Sequence, residues 1–343
     1  MKLNRPGIAL TVGDPAGIGP EITASVMNRG ILKAGGSVVI GPAEPVLPLL
    51  EPGTLGRTLV VSSGNGYPER EQEGYLFIDT GTEGCGNLPR GANAEGGLIS
   101  GRSVEKAIEM AKIGLVRGIV TGPVSKEALS LAGYSYRGHT DMLASFFDSP
   151  DCQMIMVSGD LRVVIMTRDI PLREVPGAVT GERIKRAVRV TAEGLKLNWG
   201  IDQPLIAVSA LNPHAGDGGL IGREEQDIII PALQELRKEG MKLDGPVPAD
   251  TLFYRWKDSS VDACIAMYHD QGMIPFKTVG FERGVNMTIG LPVVRTSVCH
   301  GTAYDLAGSG RANPGSLEAA LELAEECIEQ RKERGQDCRK RRE

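Results

Sequence analysis

The chain has 343 residues, a net charge of −5, 41% hydrophobic residues and only 4% aromatics. That length allows two ordinary domains or one large α/β domain, with a core built from Val, Ile, Leu, Ala and Met. The acidic balance supplies no basic field for nucleic acid, and no apolar run is long enough to span a bilayer. Residues 8–12 are a short apolar run that predicts a strand. The segment Gly13-Asp14-Pro15-Ala16-Gly17-Ile18-Gly19-Pro20-Glu21 follows at once and reads as a glycine loop with a helix from Pro20. Residues 37–40 and 58–61 read as further buried strands. Residues 103–112 have helical spacing of apolar and charged positions, and residues 118–120 form the next strand. Strand-then-helix alternation of this kind predicts a parallel sheet.

The second half keeps the rhythm. Residues 154–157 and 162–166 read as adjacent strands, and residues 181–197 as a long helix with Ile184, Ala187, Val188, Val190 and Leu195 on its apolar face. A strand at 205–210, a helix at 225–239, a strand at 263–267 and a helix at 316–333 complete the pattern. Residues 336–343 read as a solvated charged end. The six cysteines are scattered without a Cys-x-x-Cys pair, so reduced thiols and a cytoplasmic location are expected. The first residues run straight into a strand and do not read as a signal peptide.

The chemistry is concentrated around the four histidines. The 13–19 loop lacks the Gly-x-Gly-x-x-Gly order of the dinucleotide fingerprint, and reads either as an anion-holding helix start or as a tight strand–helix turn. In Gly138-His139-Thr140, the two side chains can donate to a phosphate or carboxylate, or Thr140 or Asp141 can cap a helix over 142–147. His214, in Asn212-Pro213-His214-Ala215-Gly216-Asp217, and His269, in Tyr268-His269-Asp270-Gln271-Gly272, each follow a buried strand, where open α/β sheets place ligands. One such histidine is more often structural, but two tilt the reading toward a metal. Asp270 can be a ligand, an orienter or a base. Lys277, Asn286 and Arg295 suggest an anion pocket. The glycine-bearing segment from His300 to Pro314 places a histidine, a carboxylate and an asparagine where they can clasp an adenosine.

Taken in order, these motifs, with Thr121-Gly122-Pro123-Val124 before Lys126 and Pro248-Ala249-Asp250-Thr251, resemble the 4-hydroxythreonine-4-phosphate dehydrogenase family over nearly the whole chain. The segment from His300 resembles the adenosine loop of isocitrate and isopropylmalate dehydrogenases, which bind NAD without a Rossmann fold. The resemblance implies two α/β domains with mostly parallel sheets, a cleft between them, and a homodimer that shares each active site between chains. It implies residues 1–130 plus 281–343 as the NAD-binding domain and 131–280 as the domain for substrate, metal and dimerisation.

The implied reaction is NAD- and metal-dependent oxidation of the secondary alcohol of a 4-phosphorylated hydroxy acid, then decarboxylation of the β-keto acid. Paralogues act instead on threonate or erythronate 4-phosphate or on aromatic cis-dihydrodiols, and a non-catalytic binding protein on the same scaffold is the alternative of another class. Carried over position by position, substrate contacts fall on His139, Thr140, Lys277, Asn286 and Arg295. Catalytic roles fall on Lys126, Asp250 and Asp270. NAD contacts fall on His300, Gly301, Thr302, Asp305 and Asn313. The divalent metal (Mg, Mn, Zn or Co) is assigned to Asp169, His214 and His269, with His269 reaching the site of the partner chain. Asp169 stands where the family pattern has histidine, and is read either as a ligand or as an ion-pair partner of Arg168 or Arg173.

Overall fold

A computed structural model describes residues 7–64, 74–136, 138–258 and 260–335, so the charged end, Cys338 and the first six residues lie outside the described part. In chain order the elements begin with β1 (Ile8–Thr11), α1 (Gly19–Asn28), β2 (Ser37–Gly41), α2 (Pro52–Leu55), β3 (Thr58–Ser62) and β4 (Tyr75–Asp79). There follow α3 (Ala94–Lys112), β5 (Gly118–Thr121), α4 (Lys126–Leu131), α5 (His139–Phe146), β6 (Gln153–Ser158) and β7 (Leu161–Thr167). Next come α6 (Val175–Ala178), α7 (Gly181–Trp199), β8 (Leu205–Ser209), α8 (Ile230–Lys238), β9 (Lys242–Val247), α9 (Ala249–Arg255) and β10 (Ala263–Tyr268). The chain closes with α10 (His269–Gly280), β11 (Val285–Ile289), β12 (Val294–Val298) and α11 (Gly315–Glu333).

The chain divides into two compact units, one of Met1–Pro150 with Leu291–Glu343 and one of Asp151–Gly290. The division falls 20 residues later than the 130/131 border and 10 later than the 280/281 border expected from the sequence. Two packing facts account for the shift. Helix α5 lies against α3, which keeps it in the first unit. Strand β11 pairs antiparallel with β6, which keeps it in the second.

In the first unit the strands run β3-β4-β2-β1-β5-β12, and every pairing is parallel. Apart from the edge strand β3 they are buried, so they read as continuous apolar runs, as parallel strands covered on both faces do. Helix α3 packs on β1, β2 and β5, and α11 on β5 and β12. Helix α3 starts nine residues before the expected 103–112 segment. Asn93 caps it by accepting from Gly96 N, and a Cβ at Gly97 would lie 1.9 Å from the Ala128 carbonyl. Glycines that blur the helical pattern are thus what lets α4 approach.

In the second unit the order is β11-β6-β7-β10-β8-β9. The β11–β6 and β6–β7 pairs are antiparallel, and β7, β10, β8 and β9 run parallel. Helix α7 packs on β6, β7, β10 and β11, its apolar stripe at Ile184, Ala187, Val188 and Leu195 buried. The segment expected as one helix over 225–239 opens instead with a π turn at Glu225–Ile229 before α8.

Candidate active site

In the first unit, three hydrogen bonds dock the segment after His300 onto the 13–21 loop. Ile18 N donates to the Thr302 carbonyl (2.9 Å), Gly310 N donates to Glu21 (3.1 Å), and Tyr304 OH donates to Asp14 Oδ2 (2.7 Å). A Cβ at Gly17 would lie 2.6 Å from the Thr302 carbonyl, and one at Gly13 (φ +89) 2.3 Å from the Pro123 carbonyl. The glycines therefore serve close backbone packing, which settles the loop as a tight turn carrying another loop. Asp14 is fully buried, and burial raises its carboxyl above the usual 3.8. Burial pushes the Tyr304 phenol up to about 12, so its hydroxyl remains a donor.

The docked segment carries the residues expected from the sequence to meet a dinucleotide. Asp305, Gly301 and Asn313 are exposed, and Thr302 is nearly buried beneath them. His300 Nδ1 engages the Gly301 carbonyl at 2.9 Å, while Nε2 is shielded from solvent and has no hydrogen-bond partner. Asn313 Oδ1 accepts from Gly315 N at the start of α11. Ala303 takes φ 44°, a left-handed conformation rare for a residue with a Cβ. A rigid loop with an exposed carboxylate and an unsatisfied imidazole nitrogen fits an adenosine.

Arg295 lies on β12, opposite Ile119 of β5, and is 1% exposed. Its Nη2 donates to Thr121 Oγ1 at 2.9 Å. Nearby, α5 starts at His139 rather than at 142, because Gly138 takes φ 154° and its carbonyl accepts from Met142 N. Neither Thr140 nor Asp141 caps the helix, and His139 and Thr140 stand in its first turn. Burial, and then the charge of Arg295, hold the His139 imidazole well below its usual 6.5. Its Nε2 is shut off from solvent without a partner. A buried guanidinium whose field reaches a neutral imidazole suits an anion. Lys126 is exposed in the first turn of α4, behind the Ser125 cap.

In the second unit, Asp169, His214 and His269 follow β7, β8 and β10, three neighbouring parallel strands whose C-terminal ends share one edge. All three residues are exposed. Among the described residues of one chain, no three His, Cys, Asp or Glu converge closely enough to hold a metal ion. The donor chemistry nonetheless suits one. His269 Nδ1 lies 2.6 Å from Asp270 Oδ1, a contact that turns the other ring nitrogen, Nε2, away from the carboxylate. Asp169 and His214 hold φ of 54° and 52°, and strained backbone of this kind gathers at functional sites.

Two groups that sequence reasoning did not single out organise this edge. Gln271 accepts from Met267 N (2.7 Å) and donates to the Ala210 carbonyl (2.8 Å), tying the end of β10 to the start of the His214 loop. Glu225 holds the same loop from below. Nothing in the sequence marks a buried glutamate, since carboxylates on helices usually face water. Asp250 is exposed in the first turn of α9 and accepts from Thr251 N. Lys277 is exposed near the end of α10, 5.6 Å from the centre of the Phe281 ring, and Asn286 is half-buried on β11. The five expected substrate contacts thus divide between the units, His139, Thr140 and Arg295 in the first, Lys277 and Asn286 in the second.

Comparison with known proteins adds an independent line. The family model described as pyridoxal phosphate biosynthetic protein PdxA matches residues 69–324. A 4-hydroxythreonine-4-phosphate dehydrogenase of Desulforapulum autotrophicum is 38% identical over 330 residues, 94% of this chain and 96% of its own length. A putative D-threonate 4-phosphate dehydrogenase of Bradyrhizobium diazoefficiens is 37% identical over 93% of this chain and 95% of its own. The crystal structure of 4-hydroxythreonine-4-phosphate dehydrogenase from Klebsiella pneumoniae superposes with a TM-score of 0.81 at 36% identity, covering 96% of this chain and 99% of its own. An isocitrate dehydrogenase of Methylococcus capsulatus, at 15% identity and a TM-score of 0.50 over 95% of this chain and 87% of its own, shares the fold alone.

Proposed function

Because the chain belongs to the PdxA family, we propose that it is an NAD- and divalent-metal-dependent dehydrogenase acting on a 4-phosphorylated hydroxy acid of the 4-phosphooxy-L-threonine type, with decarboxylation of the β-keto acid that results. The observation that carries this reading is a buried Arg295 whose charge, together with burial, holds the His139 imidazole well below its usual range. A buried guanidinium whose field reaches an unprotonated imidazole suits a phosphate or carboxylate and disfavours a neutral alcohol.

Under this reading His139, Thr140 and Arg295 hold the anionic end of the substrate, and Lys277 and Asn286 supply the contacts of the second unit. Asp169, His214 and His269 hold the metal, with His269 reaching the site of a second copy in a homodimer. Asp270 keeps the His269 ring in one orientation through their 2.6 Å contact. Asp305, His300 and Asn313 hold the dinucleotide on the docked loop, with Gly301 and Thr302 giving it backbone to lie against. Lys126 and Asp250 are the remaining candidates to move protons. When bound, the metal supplies Lewis acidity to the reacting alcohol, and NAD accepts the hydride. The free thiols of the five described cysteines accord with a cytoplasmic location. Among the described residues no helix is long and apolar enough to cross a membrane.

A second reading keeps the chemistry and changes the substrate to D-threonate 4-phosphate. It is raised by Asp169, a departure from the histidine of the family pattern, and a relative named for that substrate is 37% identical to this chain. One experiment separates them. NADH formation is followed with 4-phosphooxy-L-threonine, D-threonate 4-phosphate, erythronate 4-phosphate and an aromatic cis-dihydrodiol, with and without added metal. The highest kcat/KM is expected with 4-phosphooxy-L-threonine and only with metal. A higher value with D-threonate 4-phosphate gives the second reading, and no NADH with any of the four overturns both.

A further inference from the structure

The loop that carries His214 is a short left-handed turn. Six successive residues have positive φ: His214 at 52°, Ala215 at 54°, Gly216 at 79°, Asp217 at 43°, Gly218 at 66° and Gly219 at 97°. Glycine adopts this region freely, but His214, Ala215 and Asp217 each carry a Cβ against the following carbonyl, at about 1–2 kcal/mol per residue. Backbone bonds close the far end of the turn, Leu220 N to Asp217 O and Ile221 N to Gly216 O. A side chain from outside the turn fixes its entrance as well.

Glu225 does so. This residue is 1% exposed and opens the π turn before α8. Its Oε1 accepts from Leu211 N and Asn212 N, both at 2.8 Å, and its Oε2 accepts from Asn212 Nδ2 at 2.9 Å. The same carboxylate sits beneath the middle of the turn, where a Cβ on Gly216 would come within 2.7 Å of Oε2. Asn212 also donates to Glu224 Oε2 (2.7 Å), and Gln226 Nε2 donates to the Gly218 carbonyl (2.8 Å). Three consecutive side chains, from residues 224 to 226, thus grip the turn at its entrance, middle and exit. His214 lies between the two points that Glu225 touches, Asn212 and Gly216. A π insertion adds a residue to the helical turn, and such insertions recur at functional sites.

We propose that Glu225, acting through Asn212 and the left-handed turn, is a positioning residue that presents the His214 imidazole to a divalent metal. The inference rests on the reading of His214 as a ligand. Glu225 touches neither metal nor substrate, and its effect passes through the backbone of residues 211–216.

The test is metal affinity of the full-length apoprotein, titrated with manganese or zinc against a chromophoric chelator, for the wild type, His214→Ala, Glu225→Gln and Asn212→Ala. Glu225→Gln keeps one acceptor for the two backbone N–H groups but turns a donor toward the Asn212 amide. It should weaken metal binding by about 10–100-fold, the range seen when groups that orient a ligand are changed. Hydrogen exchange at residues 211–221 should rise in the apoprotein, and saturating metal should restore turnover, which a general folding defect would not allow. Asn212→Ala should weaken binding in the same direction and serves if Glu225→Gln does not fold. Unchanged affinity in a folded Glu225→Gln, or in Asn212→Ala where the former does not fold, overturns the proposal, provided His214→Ala loses binding. Unchanged affinity in His214→Ala overturns the ligand reading itself, and the positioning role with it.

Discussion

Charge at the level of single residues decides how the candidate groups of each unit behave. His139 is held below its usual 6.5 by burial and by Arg295. The folded protein therefore keeps the imidazole neutral while the unfolded chain takes up a proton as the pH falls through 6.5. The stability that this group allows is complete above 6.5 and is lost as the pH falls toward the depressed folded value, with a slope of at most about 1.4 kcal/mol per pH unit. His139→Gln should remove that part of the acid dependence. Denaturant unfolding of both proteins above and below 6.5 checks it, and a wild-type-minus-variant difference that does not change with pH would sink the idea. Asp169 poses the complementary problem. Its φ of 54° suits Asp, Asn or His better than Ala, so Asp169→Asn isolates the loss of charge from backbone strain. If Asp169 is a ligand, that variant should bind metal at least about tenfold more weakly, and Asp169→His should bind with zinc preferred over manganese. Titration of metal into the three apoproteins decides the matter, since equal affinities would remove residue 169 from the site.

At the level of elements, the strands are the most legible part. Those at 8–12, 37–40, 58–61, 118–120, 154–157, 162–166, 205–210 and 263–267 agree with β1, β2, β3, β5, β6, β7, β8 and β10 to within one or two residues. A buried parallel strand is an unbroken apolar run, and such runs survive a reading by eye. Strands β11 and β12 were hidden by their polar members, Asn286, Thr288, Arg295, Thr296 and Ser297, and by the Gly290-Leu291-Pro292 break between them. Helix α10 was hidden by Gly272, Pro275 and Gly280, which break helical propensity but are carried by packing on β6, β7 and β10. The histidine motifs were legible as chemistry; the groups that aim them, Glu225 and Gln271, were not, because their roles exist only once distant segments meet. The docked loop after His300 yields a prediction at this scale. Tyr304→Phe deletes the 2.7 Å bond to Asp14 while leaving the ring in place. Losing one such bond should cost about 1 kcal/mol, hence a roughly fivefold rise in KM for NAD, with kcat little changed. A drop in kcat at unchanged KM would show that Tyr304 does something other than hold the loop.

For the whole molecule, the decisive feature is that β7, β10 and β8 deliver Asp169, His269 and His214 to one edge, yet no metal-holding trio forms among the described residues of a single chain. Under the proposed function a second copy completes this edge, and a two-fold axis would then make two equivalent sites at once. In the shared arrangement we propose, His214 would serve the site of its own chain and His269 that of the partner. His214→Ala and His269→Ala homodimers should each be inactive, since every site lacks one imidazole. When the two variants are unfolded together and reassembled, a hybrid dimer has one site that lacks both histidines and one that keeps both. Random reassembly at equal amounts should then restore roughly a quarter of wild-type activity, because half the dimers are hybrid and each hybrid has one intact site of two. Differently tagged chains allow the hybrid to be isolated and its turnover and metal content measured, with one metal per hybrid dimer expected. If purified hybrids form and remain inactive, each chain builds its site alone, and the three strand ends must rearrange within one subunit to bring their donors together.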